Sequence, residues 1–189
     1  IIQGKYGDQP ALQKMAVSTV PWLERGSAFF GGQGLAPPFC PLLQHEADAW
    51  RRFQPDMILD EGCDDAASWV VMRQLDGKPL EATGERPLQL LMDVARDLAK
   101  LHANDVLHRD VRSANVLECA DRFTLIDLDV SRIAGLGPAG IVGRSALAAP
   151  ETLSGQEDGR SDLYGLGMLV RWYCGEKTPV ELVTILDAL

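Results

Sequence analysis

Cysteine is scarce in this chain, with Cys40, Cys63, Cys119 and Cys174 far apart and no C-x-x-C pair among them. That spacing signals neither a zinc site nor a disulfide framework, and reduced thiols in a cytoplasmic protein are the expectation. No apolar run approaches the roughly 20 residues needed to cross a bilayer. The opening "IIQGKYGDQP" lacks the basic-then-apolar layout of a signal peptide, and it lacks an initiator Met, so a processed or partial chain is expected. Positive charge is in deficit, 18 Lys and Arg against 27 Asp and Glu, for a net charge of −9. This balance argues against a nucleic-acid or anionic-membrane partner. No internal repeat is visible.

What is present reads as a globular protein: 189 residues, 46% hydrophobic and 24% charged. This suits one ordinary domain, or two small lobes sharing a cleft. Residues 1–18 suggest a hairpin turning at Asp8-Gln9-Pro10. A Pro- and Gly-rich stretch over 21–41 reads as a loop or insertion. From Leu42 to Phe53 the spacing is helical, with Leu43, Ala47 and Trp50 on one face and Glu46 beside them. Short strands are expected near Met57 and from Ser68, separated by the acidic turn "DEGCDD". Pro87 opens a helix to about Ala103, with Leu90, Leu91, Val94, Leu98 and Leu101 on one stripe. A further hairpin turns at Cys119 to Arg122. Residues 131–148 are rich in Gly and Ala and read as a mobile loop. Ser161 reads as the N-cap of a last substantial helix, running to about Tyr173. Strands come first and helices later, a two-lobed α+β order with its hinge near Leu75, giving lobes of residues 1–75 and 76–189.

The chemistry is concentrated in "VLHRDVRSANVLECADRFTLIDLD". Asp110 and Asn115 stand five positions apart, near enough to face one phosphate site from a single ordered loop. Asp127 ends an apolar run 17 residues after Asp110, where a hairpin can return it to the same place. Phosphoryl transfer needs a group that orients the nucleophile and oxygen ligands that hold Mg²⁺ on the phosphates.

The string from His108 to Asn115, H-R-D-x-x-x-x-N, resembles the catalytic loop of eukaryotic-type protein kinases. The resemblance extends to "ALQKMA", "VVMRQLDGKPL", "LIDLD", "AAPE" and "SDLYGLG", in family order over roughly residues 8–175. It implies a protein-kinase-like α+β fold with a small strand-rich first lobe and a mainly helical second one. It also implies that ATP and Mg²⁺ are the cofactors and a protein is the substrate. By this match Lys14 grips the α- and β-phosphates and Glu46 pairs with it. Met72 stands at the back of the adenine pocket, and the backbone of Arg73 and Leu75 bonds the adenine edge. Asp110 orients the nucleophile, Arg112 neutralises the transferring group, and Asn115 and Asp127 hold Mg²⁺. His108, Arg109, Glu151 and Asp162 support the site, with Asp162 holding the backbone of the H-R-D turn.

Several positions depart from the pattern. No G-x-G-x-x-G precedes Lys14, where only Gly4 and Gly7 are found, so weak nucleotide affinity is expected. Little follows the "SDLYGLG" helix, and the arginine that pairs with the A-P-E glutamate in the family has no counterpart for Glu151. Asp129 replaces the Gly of the family's D-F-G. Between Asp127 and Glu151 the only hydroxyl residues are Ser131 and Ser145, so Arg109 has no obvious phosphate to bind unless Ser145 is modified. An ATP-dependent kinase acting on a protein Ser/Thr (or Tyr) hydroxyl is the reading that the intact catalytic set favours. The alternatives are a non-catalytic kinase-like binding module, favoured by the missing glycine loop, and a small-molecule phosphotransferase, hinted at by Asp127 and Asp129.

Overall fold

In the computed structural model, β1 (Ile2–Tyr6) and β2 (Gln9–Val17) form an antiparallel hairpin. Residues 1–17, 41–63, 67–136, 149–154 and 156–189 are described. The expected loop over 21–41 therefore lies outside them except for Pro41, as does most of the Gly- and Ala-rich stretch, from 137 to 148. The hairpin turns earlier than expected, at Gly7–Asp8, because Gly7 can take the positive φ of +60° that a two-residue turn requires. Gln9 and Pro10 already belong to β2, with Pro10 opposite Lys5.

Ile1–Gln74 form one compact unit. Its sheet is antiparallel throughout, in the order β1-β2-β4-β3, with β3 at Ile58–Cys63 and β4 at Ala67–Arg73. The "DEGC" expected in a turn is thus strand, and a 3-10 turn at Pro55–Met57 leads into it. β4 alternates as a half-buried strand should, with Ser68, Val70 and Met72 buried and Trp69, Val71 and Arg73 on the other face. Trp69 lies on Gly62 of β3 so closely that a Cβ there would come within 2.5 Å of its ring. Helix α1 (Pro41–Phe53) packs on β2, β3 and β4 and buries Ala47, Ala49, Trp50 and Phe53. Arg51 of α1 also pairs with Glu61 of β3, which raises the guanidinium above its ordinary pKa.

Leu75–Leu189 form the second unit. Its centre is α2 (Pro87–Ala103) against α3 (Gly159–Cys174). All five stripe positions of α2 (Leu90, Leu91, Val94, Leu98 and Leu101) are buried, as its 3.6-residue period predicts. A small sheet in the order β5-β7-β8 lies beside α2: β5 is Lys78–Pro79, β7 is Val116–Glu118 and β8 is Phe123–Leu125. Two carboxylates of α2 reach β8. Asp93 accepts from the Phe123 amide and Asp97 from the Leu125 amide, each at 3.1 Å. Two-residue strands β6 (Val106–Leu107) and β9 (Arg132–Ile133) pair antiparallel on either side of the motif region. A short helix α4 (Val180–Asp187), unforeseen in the sequence, buries Leu182 and Leu186 and packs on α3.

The start of α3 corrects one expectation. Asp158, not Ser161, is the N-cap, and Ser161 is the third residue of the helix. The two form a reciprocal capping box, the Asp158 carboxylate taking amide protons and the Ser161 hydroxyl accepting from the Asp158 amide. Either residue type caps well, and the carboxylate stands three positions earlier.

Candidate active site

In the first unit the sheet register sets Lys14 opposite Val70, on the face that α1 covers. Glu46, on the buried side of α1, is only 4% exposed. Its Oε1 accepts from Lys14 Nζ at 2.5 Å, the partner that makes burial of this carboxylate tolerable. Met72 is buried in β4 between Leu12 and Ile58. The Arg73 side chain turns to the 3-10 segment, with Nη2 3.6 Å from Asp56 Oδ2. Leu75 is half-buried at the start of the second unit.

The second unit assembles the H-R-D segment around one acid. Asp162, 2% exposed in the first turn of α3, accepts three hydrogen bonds. They come from the amides of His108 (2.9 Å) and Arg109 (2.8 Å) and from Nε2 of His102 (2.8 Å). These bonds hold Arg109 at φ +70°, a left-handed conformation that costs a non-glycine residue about 1–2 kcal/mol. Gly165, one turn along α3, allows the loop to come close, since a Cβ there would stand 3.1 Å from Cβ of Val111. His108 is fully buried between two backbone groups. Its Nδ1 accepts from the Asp110 amide at 3.2 Å, so Nε2 carries the proton and donates to the Ile126 carbonyl at 3.1 Å.

Around Asp110 the side chains interlock. Its Oδ2 accepts from Asn115 Nδ2 and from Arg112 Nε, both at 2.8 Å. Asn115 Nδ2 also donates to the Asp110 carbonyl at 2.9 Å. With both donor hydrogens of its amide committed, Asn115 presents Oδ1 as its remaining group, an oxygen of the kind Mg²⁺ takes. The Asn115 carbonyl accepts from the Ile126 amide at 2.9 Å, which ties Asp127 to the same loop. Asp127 has φ +68°, and Leu128 beside it is buried. Asp129 is exposed. Among the described residues no group of three or more His, Cys, Asp or Glu could hold a metal alone. Mg²⁺ bound to nucleotide does not need one, because one or two protein oxygens plus the phosphates suffice.

Glu151 does not join this loop. Its Oε1 accepts from the Ser161 hydroxyl at 2.7 Å, which holds the carboxyl below its ordinary range. Two further residues of the site are not marked by any sequence motif. His102 is one, and Glu157 is the other, its Oε1 3.1 Å from Arg109 Nε. Burial pulls the Arg109 guanidinium below its ordinary pKa and the Glu157 carboxylate opposes that pull. Neither residue belongs to a periodic pattern, and the only sequence signal was an acid or imidazole close to a helix end.

The profile of the family described as "Protein kinase domain" matches residues 71–184. The chain is 35% identical over 149 residues to the serine/threonine-protein kinase PknD of Mycobacterium tuberculosis, covering 70% of this chain and 22% of that protein. It is 34% identical over 126 residues to the serine/threonine-protein kinase PknJ of Mycobacterium bovis, covering 57% and 21%. A dual serine/threonine and tyrosine protein kinase of Macaca mulatta is 32% identical over 93 residues, covering 49% and 10%. The chain belongs to the protein kinase family and has its α+β fold. It spans about a fifth of the length of the mycobacterial relatives it matches.

Proposed function

We propose that the protein transfers the γ-phosphoryl group of Mg-ATP to a Ser or Thr hydroxyl of a protein substrate. The observation that carries this reading is the fixed Asp110 carboxylate, held through one oxygen by both Asn115 and Arg112. A carboxylate so restrained can accept a hydrogen bond from an acceptor hydroxyl and aim it, and positioning is most of what a kinase must supply. Arg112 offsets charge that develops on the transferring group. Asn115 Oδ1 and the Asp127 carboxylate are hard oxygen donors suited to Mg²⁺. Lys14, steadied by Glu46, serves the phosphates, and Met72 with the backbone of Arg73 and Leu75 serves the adenine. His108, Arg109 and Asp162 keep the loop in shape. Mg-ATP, when bound, supplies the phosphoryl group and neutralises its charge.

The names of PknD and PknJ favour Ser/Thr as the acceptor. We place the reaction in the cytoplasm, where Mg-ATP is available and cysteines stay reduced; among the described residues Cys63, Cys119 and Cys174 form no disulfide. Among the described residues no helix is long and apolar enough to cross a membrane. With a net charge of −9, no nucleic-acid or anionic-membrane partner is proposed.

The test is phosphoryl transfer to a generic protein substrate together with calorimetry of Mg-ATP binding. Asp110→Asn is expected to lower kcat by about two orders of magnitude or more and to leave ATP affinity within a few-fold of wild type. Asp127→Asn is expected to abolish Mg²⁺-dependent turnover. Undiminished transfer by both variants would remove the mechanism. A wild-type protein that binds no Mg-ATP would instead establish a non-catalytic member of the family.

A further inference from the structure

Arg109 carries its charge into the protein, with a side chain only 7% exposed. Its Nη1 donates to the Val130 carbonyl at 3.1 Å, and its Nε stands 3.1 Å from Glu157 Oε1. A second guanidinium reaches the same carboxylate oxygen. Arg132, on β9, has Nη1 3.7 Å from Glu157 Oε1, and its Nη2 donates to the Glu157 carbonyl at 3.0 Å. Glu157 is itself 5% exposed, and its Oε2 has no hydrogen-bond partner among the described residues. An acid buried with one oxygen unsatisfied is costly, and attraction to the two cations is what offsets that cost here.

Two arginines converging on one fixed anion is what a phosphorylated residue creates when phosphate orders a kinase loop. In this chain the hydroxyls between Asp127 and Glu151 are those of Ser131 and Ser145. Ser131 is fully buried and donates its hydroxyl to the Leu128 carbonyl at 2.7 Å, out of reach of a modifying enzyme. We propose that Glu157 is a resident anion that takes the place of a regulatory phosphate between Arg109 and Arg132. It is a positioning residue. It fixes the Arg109 side chain, whose backbone runs directly into Asp110, and through Arg132 it anchors β9, five residues past Asp127. The proposal implies that activity does not await phosphorylation, at Ser145 included, and it rests on the kinase reading above.

Removing the carboxylate should leave a dicationic socket that a free anion can fill. In thermal melts of the intact protein, Glu157→Ala and the isosteric Glu157→Gln should melt lower than wild type. Both should then regain about 5 °C or more in millimolar inorganic phosphate, against chloride of equal ionic strength. Wild type and Glu157→Asp should show no such phosphate response. In the transfer assay, Glu157→Gln should lower kcat about 10–100-fold, with the KM for ATP within about 3-fold, and Glu157→Asp should restore much of the loss. Phosphatase treatment of the wild type should change nothing. The proposal is overturned if neither variant responds to phosphate, if wild type responds equally, if both variants lose cooperative melting even in phosphate, or if phosphatase inactivates the wild type. A wild type without transfer activity would sink the kinase reading, and the phosphate-dependent melts would still decide whether Glu157 fills an anion socket.

Discussion

A single buried carboxylate organises the second unit's loop. Asp162 satisfies two backbone amides and one imidazole, so its loss strands donors that the fold has already taken from water. Asp162→Ala is expected to destabilise the protein by about 3 kcal/mol or more, which is roughly 6–12 °C in Tm at this chain length. Differential scanning calorimetry checks this, and a loss below about 1 kcal/mol would mean that water or a neighbour replaces the carboxylate. Residues of this kind divide sharply in how well a sequence discloses them. Asp162 stood in a recognisable string, and so did Lys14, Asp110, Asn115 and Asp127. Glu46 showed as a carboxylate on an apolar helix face, and the structure pairs it with Lys14. His102 meets Asp162 across 60 positions, and Glu157 meets Arg109 from a different segment. Only the folded backbone brings such residues together, and no local pattern marks them.

Elements with a strong period or a marked turn, such as the β1–β2 and β7–β8 hairpins, were legible, and the shortest ones were not. The stripes of α1 and α2 and the alternation of β4 carry their own signal, because each buries one face along a regular repeat. β6 and β9 are two residues each and exist only because they pair with one another, and α4 spans barely two turns. The start of α3 lies three residues before the one that Ser161 suggests, because the capping box offers two cap-like side chains. This box and the bond from Ser161 to Glu151 make helix entry pH-sensitive. Hydrogen bonds from Arg160 hold the Asp158 carboxyl below its ordinary range, and the Ser161 hydroxyl does the same for Glu151. Carboxyls with depressed folded-state pKa values stabilise the fold above their unfolded pKa, and that stabilisation is lost as pH falls through the folded values. The urea midpoint of the wild type should therefore drop as pH is lowered below the ordinary carboxylate range. Asp158→Ala should start from a lower midpoint at neutral pH and lose less on acidification. Parallel curves for the two proteins would exclude this source of acid sensitivity.

For the molecule as a whole, the order of patterned segments was enough to give the α+β class, since strand-rich and helix-rich stretches follow one another along the chain. What composition and period could not disclose is how the small sheet of the second unit is finished. β8 is its outermost strand in the order β5-β7-β8, and an outermost strand ordinarily offers its amides to any extended chain nearby. Here the Phe123 and Leu125 amides are already taken by Asp93 and Asp97, the latter also gripped by Arg122. The two acids thus occupy the free edge of β8 as well as joining a helix to a strand, and the expected consequence is protection against self-association. Replacing both with Ala should make the protein scatter light on warming, below its unfolding temperature, as strands of separate molecules recruit one another. Replacing both with Asn keeps a carbonyl acceptor for each amide and should leave the protein dispersed. Equal scattering by the two double variants would show that lost charge, rather than the opened strand edge, drives the association.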